Sequence, residues 1–160
     1  MDMDSDSSDS ECENENNDEA MNLLQVALDN EENSYIMNLN SDKIDDMKIL
    51  MIEKLQLSEE YEYEILEKLH DYMYIDEIPH FKSGSYIRWI NLLNPNEIRL
   101  KPGATICDIE IREGGTYIVC KNNYGRRNCC FQLKADENLI FRKLNDQEKV
   151  ILSVMNYLKN

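Results

Sequence analysis

The sequence predicts an α+β domain: a helical hairpin, then a five-stranded antiparallel sheet that is bent or partly closed into a small β-barrel, then a C-terminal helix. Three observations carry this prediction. Between Gly84 and Leu144, short alternating runs are separated by Gly-, Asn- and Pro-bearing turns, the patterning of strands and hairpins. Upstream, over residues 40–78, apolar residues recur at helical spacing, and downstream Val150, Ile151, Val154, Met155 and Leu158 mark the buried stripe of a last helix.

Residues 1–19, MDMDSDSSDSECENENNDE, hold too few apolar groups to offset the entropy of ordering and are expected to form a disordered acidic tail. Ser8 and Ser10 each stand three residues before an acid, Glu11 and Glu13, a context that acidophilic kinases accept. They are candidate phosphorylation sites; a plain solvated tail is the alternative. Residues 20–39 place Met21, Leu24 and Leu28 at helical spacing, a short helix or linker that docks on the domain or on a partner. In the hairpin, Ile44, Met47, Met51 and Leu55 share one face, and Ile65, Leu66, Leu69, Tyr72 and Met73 share another. Ser58 is a fitting N-cap for its second helix, with Glu59 and Glu60 where the helix dipole favours acids. Pro79 ends the hairpin and Gly84 permits the turn into the sheet.

The strands follow in quick succession. In 86–92, Ile87 and Trp89 face one way and Tyr86, Arg88 and Ile90 the other, with Arg88 set to pair with Glu110 or Asp108. Residues 105–112 alternate so that Cys107, Ile109 and Ile111 point inward. Gly114 and Gly115 are expected at the centre of a tight hairpin, where both central residues take positive φ. A longer hairpin loop spans 122–128, then Cys129, Phe131 and Leu133 alternate with Cys130, Gln132 and Lys134, and a last strand runs over 139–143. Asn145 with Glu148 three residues on is a capping signature. Residues 84–160 thus form the sheet and its closing helix, and 40–160 is expected to be one compact domain.

Net charge is −15, but it is unevenly laid out. Residues 1–40 carry 12 acids and no Lys or Arg, 41–80 carry 12 acids and 4 bases, and 81–160 carry 8 acids and 13 bases. The strand-rich part is therefore mildly basic. The longest apolar runs, LLQVAL and ILMI, are far below the roughly 18 residues a membrane span needs, and the N-terminus lacks the basic-then-apolar pattern of a secretory signal. Cysteines at 12, 107, 120, 129 and 130, odd in number and without a C-x-x-C pair, argue against a disulfide framework. A protein inside a reducing compartment is expected, without a membrane partner.

Basic residues near an aromatic side chain define the candidate nucleic-acid site: Lys121, Arg126 and Arg127 around Tyr124, with Arg112 and Arg99 adjacent. A solvated turn is the bland counterpart, and a charge of +5 over eighty residues is small for a phosphate binder. The acidic tail, lying against these loops, would mask them, an effect screened within about 8 Å at physiological salt. Tyr86 and Arg88 are candidate partner contacts, weighed against core packing for YIRWIN. A metal or other cofactor is not expected, because tetrahedral zinc wants closely paired ligands and Cys107 and Cys129 fall on inferred core faces. His70 reads as a surface residue and His80 as a loop residue without an orienting partner, so no catalytic residue is assigned. No phosphate-cradling glycine motif occurs.

LHDYMYIDEI, GSYIRWINL and LIFRKLNDQEKVIL resemble short, uncharacterised proteins of giant DNA viruses of the mimivirus kind, over residues 43–158. The resemblance implies a helix ending in a Tyr-rich turn, a YIRW-like strand and a final strand running into a helix; it implies a viral setting, in host cytoplasm or virion, and brings no catalytic residues. Together these readings predict a non-enzymatic protein-interaction module within a larger assembly. The alternative is a nucleic-acid-binding small barrel masked by its tail.

Overall fold

The structure, a computed structural model, describes residues 7–122 and 129–159. The chain divides into two compact units, one of Met1–Ser41 with Asn145–Asn160 and one of Asp42–Leu144. That division differs from the boundaries read from composition, since the closing helix belongs with the N-terminal segment.

In the first unit, helix α1 spans Ser7–Asp29, a 3-10 helix spans Glu31–Asn38, and the closing helix, α4 in chain order, spans Asp146–Lys159. Helix α1 thus begins at Ser7, inside the stretch that composition marks as an acidic tail. Leu24 and Ala27 supply the reason, because they sit on the inner side of α1, with Ala27 fully buried. A turn fixed by packing extends cheaply into neighbouring residues, whereas a free helix must pay for its own nucleus. Asn33, also buried, donates from Nδ2 to the Ala27 carbonyl (2.9 Å) and to Gln147 Oε1 (3.0 Å), tying the 3-10 segment to both helices. Tyr35 donates its hydroxyl to the buried carboxylate of Glu148. The start of α4 is a reciprocal capping box: the Asn145 amide donates to Glu148 Oε1 (3.0 Å), and the Glu148 amide donates to Asn145 Oδ1 (2.8 Å).

The second unit is a helical hairpin on a six-stranded sheet. Helices α2 (Ser41–Glu53) and α3 (Glu59–Lys68) are followed by strands β1 (Tyr72–Ile75), β2 (Tyr86–Asn91), β3 (Ala104–Arg112), β4 (Gly115–Asn122), β5 (Cys129–Lys134) and β6 (Asn138–Lys143). Ser58 caps α3 as expected, accepting from the Tyr61 amide at 3.3 Å. The other end of α3 is capped by buried Lys48, whose Nζ donates to the carbonyls of Leu69 (2.9 Å) and His70 (3.4 Å) and lies 3.3 Å from the Asp45 carboxylate.

The sheet order is β1-β6-β2-β3-β4-β5, every pairing is antiparallel, and the two outer strands are not joined. Five strands and a partly closed barrel therefore become six strands and an open sheet. The extra strand is Tyr72–Ile75, whose Tyr72 and Met73 also fit the spacing of the preceding helix. Its partner, β6, pairs Tyr72 with Lys143 and Ile75 with Ile140. The bend is present. Trp89 on β2 and Phe131 on β5 are separated by two strands in the order, yet their ring centroids lie 5.3 Å apart with planes tilted by 40°. In a flat sheet three strand spacings would hold them about 14 Å apart, so this face is strongly concave.

The convex face over β1, β6 and β2 is covered by the hairpin. Tyr72, Phe141, Leu139 and Ile90 pack there with Ile52, Ile65 and Leu69 of the helical segment, and with half-buried Leu57, Ile98 and Leu100. The concave face carries Ile87, Trp89 and Ile140, then Ile106, Ile118 and Cys120, all buried. One alternation differs from expectation. A β-bulge lies between Ile106 and Asp108, with Ile106 opposite Cys120 and Asp108 opposite Val119, so Cys107 has no partner of its own and is exposed, while Ile106 is buried. Ile109 stays level with buried Ile118, but Ile111 lies near the hairpin tip and is 71% exposed. The tip also differs. Arg112 pairs with Gly115, which makes Glu113 and Gly114 the central residues; of the two glycines only Gly115 has positive φ, at 135°.

Candidate functional site

Of the residues expected to bind nucleic acid, the structure describes Arg99, Arg112 and Lys121, and it separates Arg112 from Lys121. Arg112 and Lys121 occupy opposite ends of the β3–β4 hairpin, paired with Gly115 and Thr105 respectively. Arg112 is also engaged: it pairs with the Glu110 carboxylate, donates from Nη1 to Gln132 Oε1 (3.1 Å), and lies 4.7 Å from the centroid of the Tyr117 ring. Its charge is thus partly neutralised before any ligand arrives. Arg99 is exposed in the stretch between β2 and β3. Tyr124, Arg126 and Arg127 lie outside the described residues.

Tyr86 and Arg88, the candidate partner contacts, are held by the stretch just before β3. The Tyr86 ring covers Gly103 so closely that a Cβ there would sit 2.1 Å from the ring. Any side chain at 103 would have to push the far end of this exposed ring aside, a constraint of close approach and not of backbone angle. Arg88 donates from Nε to the Lys101 carbonyl at 3.0 Å, and Glu110 is taken by Arg112, which corrects the expected pairing of Arg88 with an acid on β3. Burial pushes the Tyr72 hydroxyl pKa up, and the neighbouring Tyr86 and Asp71 add to the shift against the opposing charge of Arg88. Tyr86 is 41% exposed and remains accessible; Arg88 is half-buried.

The thiols divide by strand position. Cys120 is buried on the concave face, and desolvation with a smaller contribution from Cys107 pushes its pKa up to about 12. Cys107, Cys129 and Cys130 are exposed, which corrects the inward placement of Cys107 and Cys129. Adjacent residues of a strand point to opposite faces, so the vicinal pair presents diverging thiols. Among the described residues no group of three or more His, Cys, Asp or Glu side chains is placed to hold a metal ion. His70 is exposed, and His80 Nε2 lies 3.9 Å from Glu77 Oε2 in a short 3-10 turn. Ser8 and Ser10 fall in the first turns of α1. No described helix is long and apolar enough to cross a membrane.

A different surface stands out in the first unit. Met21, Leu23 and Val26 on α1 are 64%, 56% and 58% exposed, and Tyr157 and Leu158 near the end of α4 are exposed at 81% and 73%. Met21 and Leu28 lie seven residues apart on one flank of α1, Leu23 and Val26 three apart on the other, with Leu24 and Ala27 between the flanks on the packed side. Helical spacing over 20–28 pointed to this segment from the sequence. What periodicity could not supply was which apolar residues the fold would leave in water.

Comparison with protein-family models, with curated proteins and with solved structures finds no match to this chain.

Proposed function

We propose that this chain is a non-enzymatic protein-interaction module that works within a larger assembly, with the α1–α4 unit as its principal docking surface. The exposed apolar side chains of α1 carry this reading. Large apolar residues scattered singly over a surface are ordinary, but here four fall within eight residues of one helix, as one exposed apolar pair on each flank. Burying a Leu or Val side chain stabilises by roughly 1.5–3 kcal/mol, so a partner covering one flank gains appreciable affinity. Tyr86, accessible beside Gly103, is a secondary contact. The giant-virus resemblance supports a viral assembly, and the odd, unpaired cysteine pattern supports a reducing intracellular setting.

Purification of the chain from native material, with and without nuclease, tests the reading. Retention of a stoichiometric partner through nuclease treatment, lost in a Leu23→Ser/Val26→Ser variant of unchanged circular dichroism, is the expected result. Nuclease-sensitive retention that depends on Lys121, Arg126 and Arg127 would instead favour the nucleic-acid alternative, whose affinity should fall steeply with salt.

A further inference from the structure

Resting on that reading, we infer that the occupant of the α1 surface is a basic amphipathic helix of another protein. Its shape follows from the spacing of the exposed groups. Leu23 and Val26, three residues apart, form a short apolar ridge on one flank of α1, while Met21 and Leu28 stand two turns apart on the other, spacings that match the i, i+3 and i+7 anchors of a second helix. An added strand would need unpaired backbone donors and acceptors, which a helix flank does not offer.

Its charge follows from what surrounds those ridges. Residues 1–40 carry 12 acids and no Lys or Arg, and Asp18, Glu19 and Asp29, all exposed, border the apolar pairs. Packed helices run about 8–10 Å apart, close to the Debye length of about 8 Å at physiological salt, so charges on the two partners are only partly screened from one another. A second copy of this chain docked through the same face would bring its own acidic segment against the first and be repelled. An anionic lipid surface or a nucleic acid would meet the same opposition. A helix with leucine-like residues on one face and lysines or arginines beside them meets both requirements, apolar area for the ridges and positive charge for the border.

The probe is a labelled synthetic amphipathic helix of leucine and lysine, titrated against the full chain by fluorescence anisotropy. Peptides with glutamine or glutamate in place of lysine, and a scrambled leucine–lysine peptide, serve as comparators. The leucine–lysine helix should bind best, weaken as salt rises, and lose at least about tenfold in affinity to the Leu23→Ser/Val26→Ser variant, with a Met21→Ser/Leu28→Ser variant reporting the other flank. Equal binding of the glutamine or glutamate helix, with the same loss in the variants, would overturn the basic partner while leaving the docking surface standing. Equal binding of the scrambled peptide, or binding indifferent to both variants, would reduce the effect to bare charge and overturn the inference. So would failure of every peptide, or concentration-dependent dimerisation by sedimentation that either variant abolishes. Because the partner's retention from native material is measured separately, failure here and failure of the interaction reading are distinguishable.

Discussion

Replacing Trp89 and Phe131 by leucine, singly and together, measures the curvature of the sheet in solution. The rings belong to strands three positions apart in the sheet order, and only a strongly bent sheet brings their centroids to 5.3 Å. Tilted aromatic pairs at that separation contribute about 0.5–1.5 kcal/mol beyond the area they bury. Trp89 is buried, so its truncation should cost about 2–3 kcal/mol, below the 3–5 of a change to alanine; half-buried Phe131 should cost about 1 kcal/mol. The double variant should then be less destabilised than the sum of the singles by about 0.5–1.5 kcal/mol. Urea unfolding followed by far-UV circular dichroism is the assay, because Trp89 is the only tryptophan and the tryptophan signal disappears with it. Single effects that add to within about 0.3 kcal/mol would show that the rings do not touch and would refute the bend.

Asn145→Ala removes one arm of the α4 capping box and should cost about 1 kcal/mol, read as a lower thermal midpoint with native circular dichroism before the transition. Gly103→Ala should destabilise by no more than about 1 kcal/mol while Tyr86 is present, the cost of swinging that exposed ring aside, and by less still in a Tyr86→Ala background. Iodoacetamide should label Cys107, Cys129 and Cys130 in the native chain and reach Cys120 only in denaturant, as mapped by peptide mass. Cys120 also sets a pH dependence: its thiol titrates near 9 when unfolded and near about 12 when folded, so its contribution is complete below pH 9 and declines between pH 9 and 12. Urea midpoints across that range should fall less in a Cys120→Ala variant than in the native chain.

Features that depend on neighbours in sequence were the legible ones. Ser58 and the Asn145–Glu148 pair cap their helices as read, because a cap is defined by residues three apart and needs nothing from the rest of the fold. The two faces of β2 were also legible, since strict alternation fixes them. Tyr72–Ile75 was missed because its residues satisfy two periods at once; pairing with β6, about seventy residues away, decides between them. The bulge at Cys107 was missed for a related reason, as a single extra residue in one strand is visible only against its partner. Of the candidate sites, side-chain type was readable but grouping was not: Arg112 and Lys121 look clustered only until their hairpin is extended to its full length.

The place of β6 has a consequence for how this chain is born. It lies between β1 and β2, although it is made after every other strand. The β3–β4–β5 meander can assemble as it leaves the ribosome, since each strand meets its neighbour across a short connection. Ile75 must wait with its strand partner missing, and Ile87 and Trp89 with only their β3-side neighbours in place, until Asn138–Lys143 emerges. Such non-local pairing is slow and leaves sticky strand edges bare in the meantime, so the nascent chain's most vulnerable interval should fall between synthesis of β2 and arrival of β6.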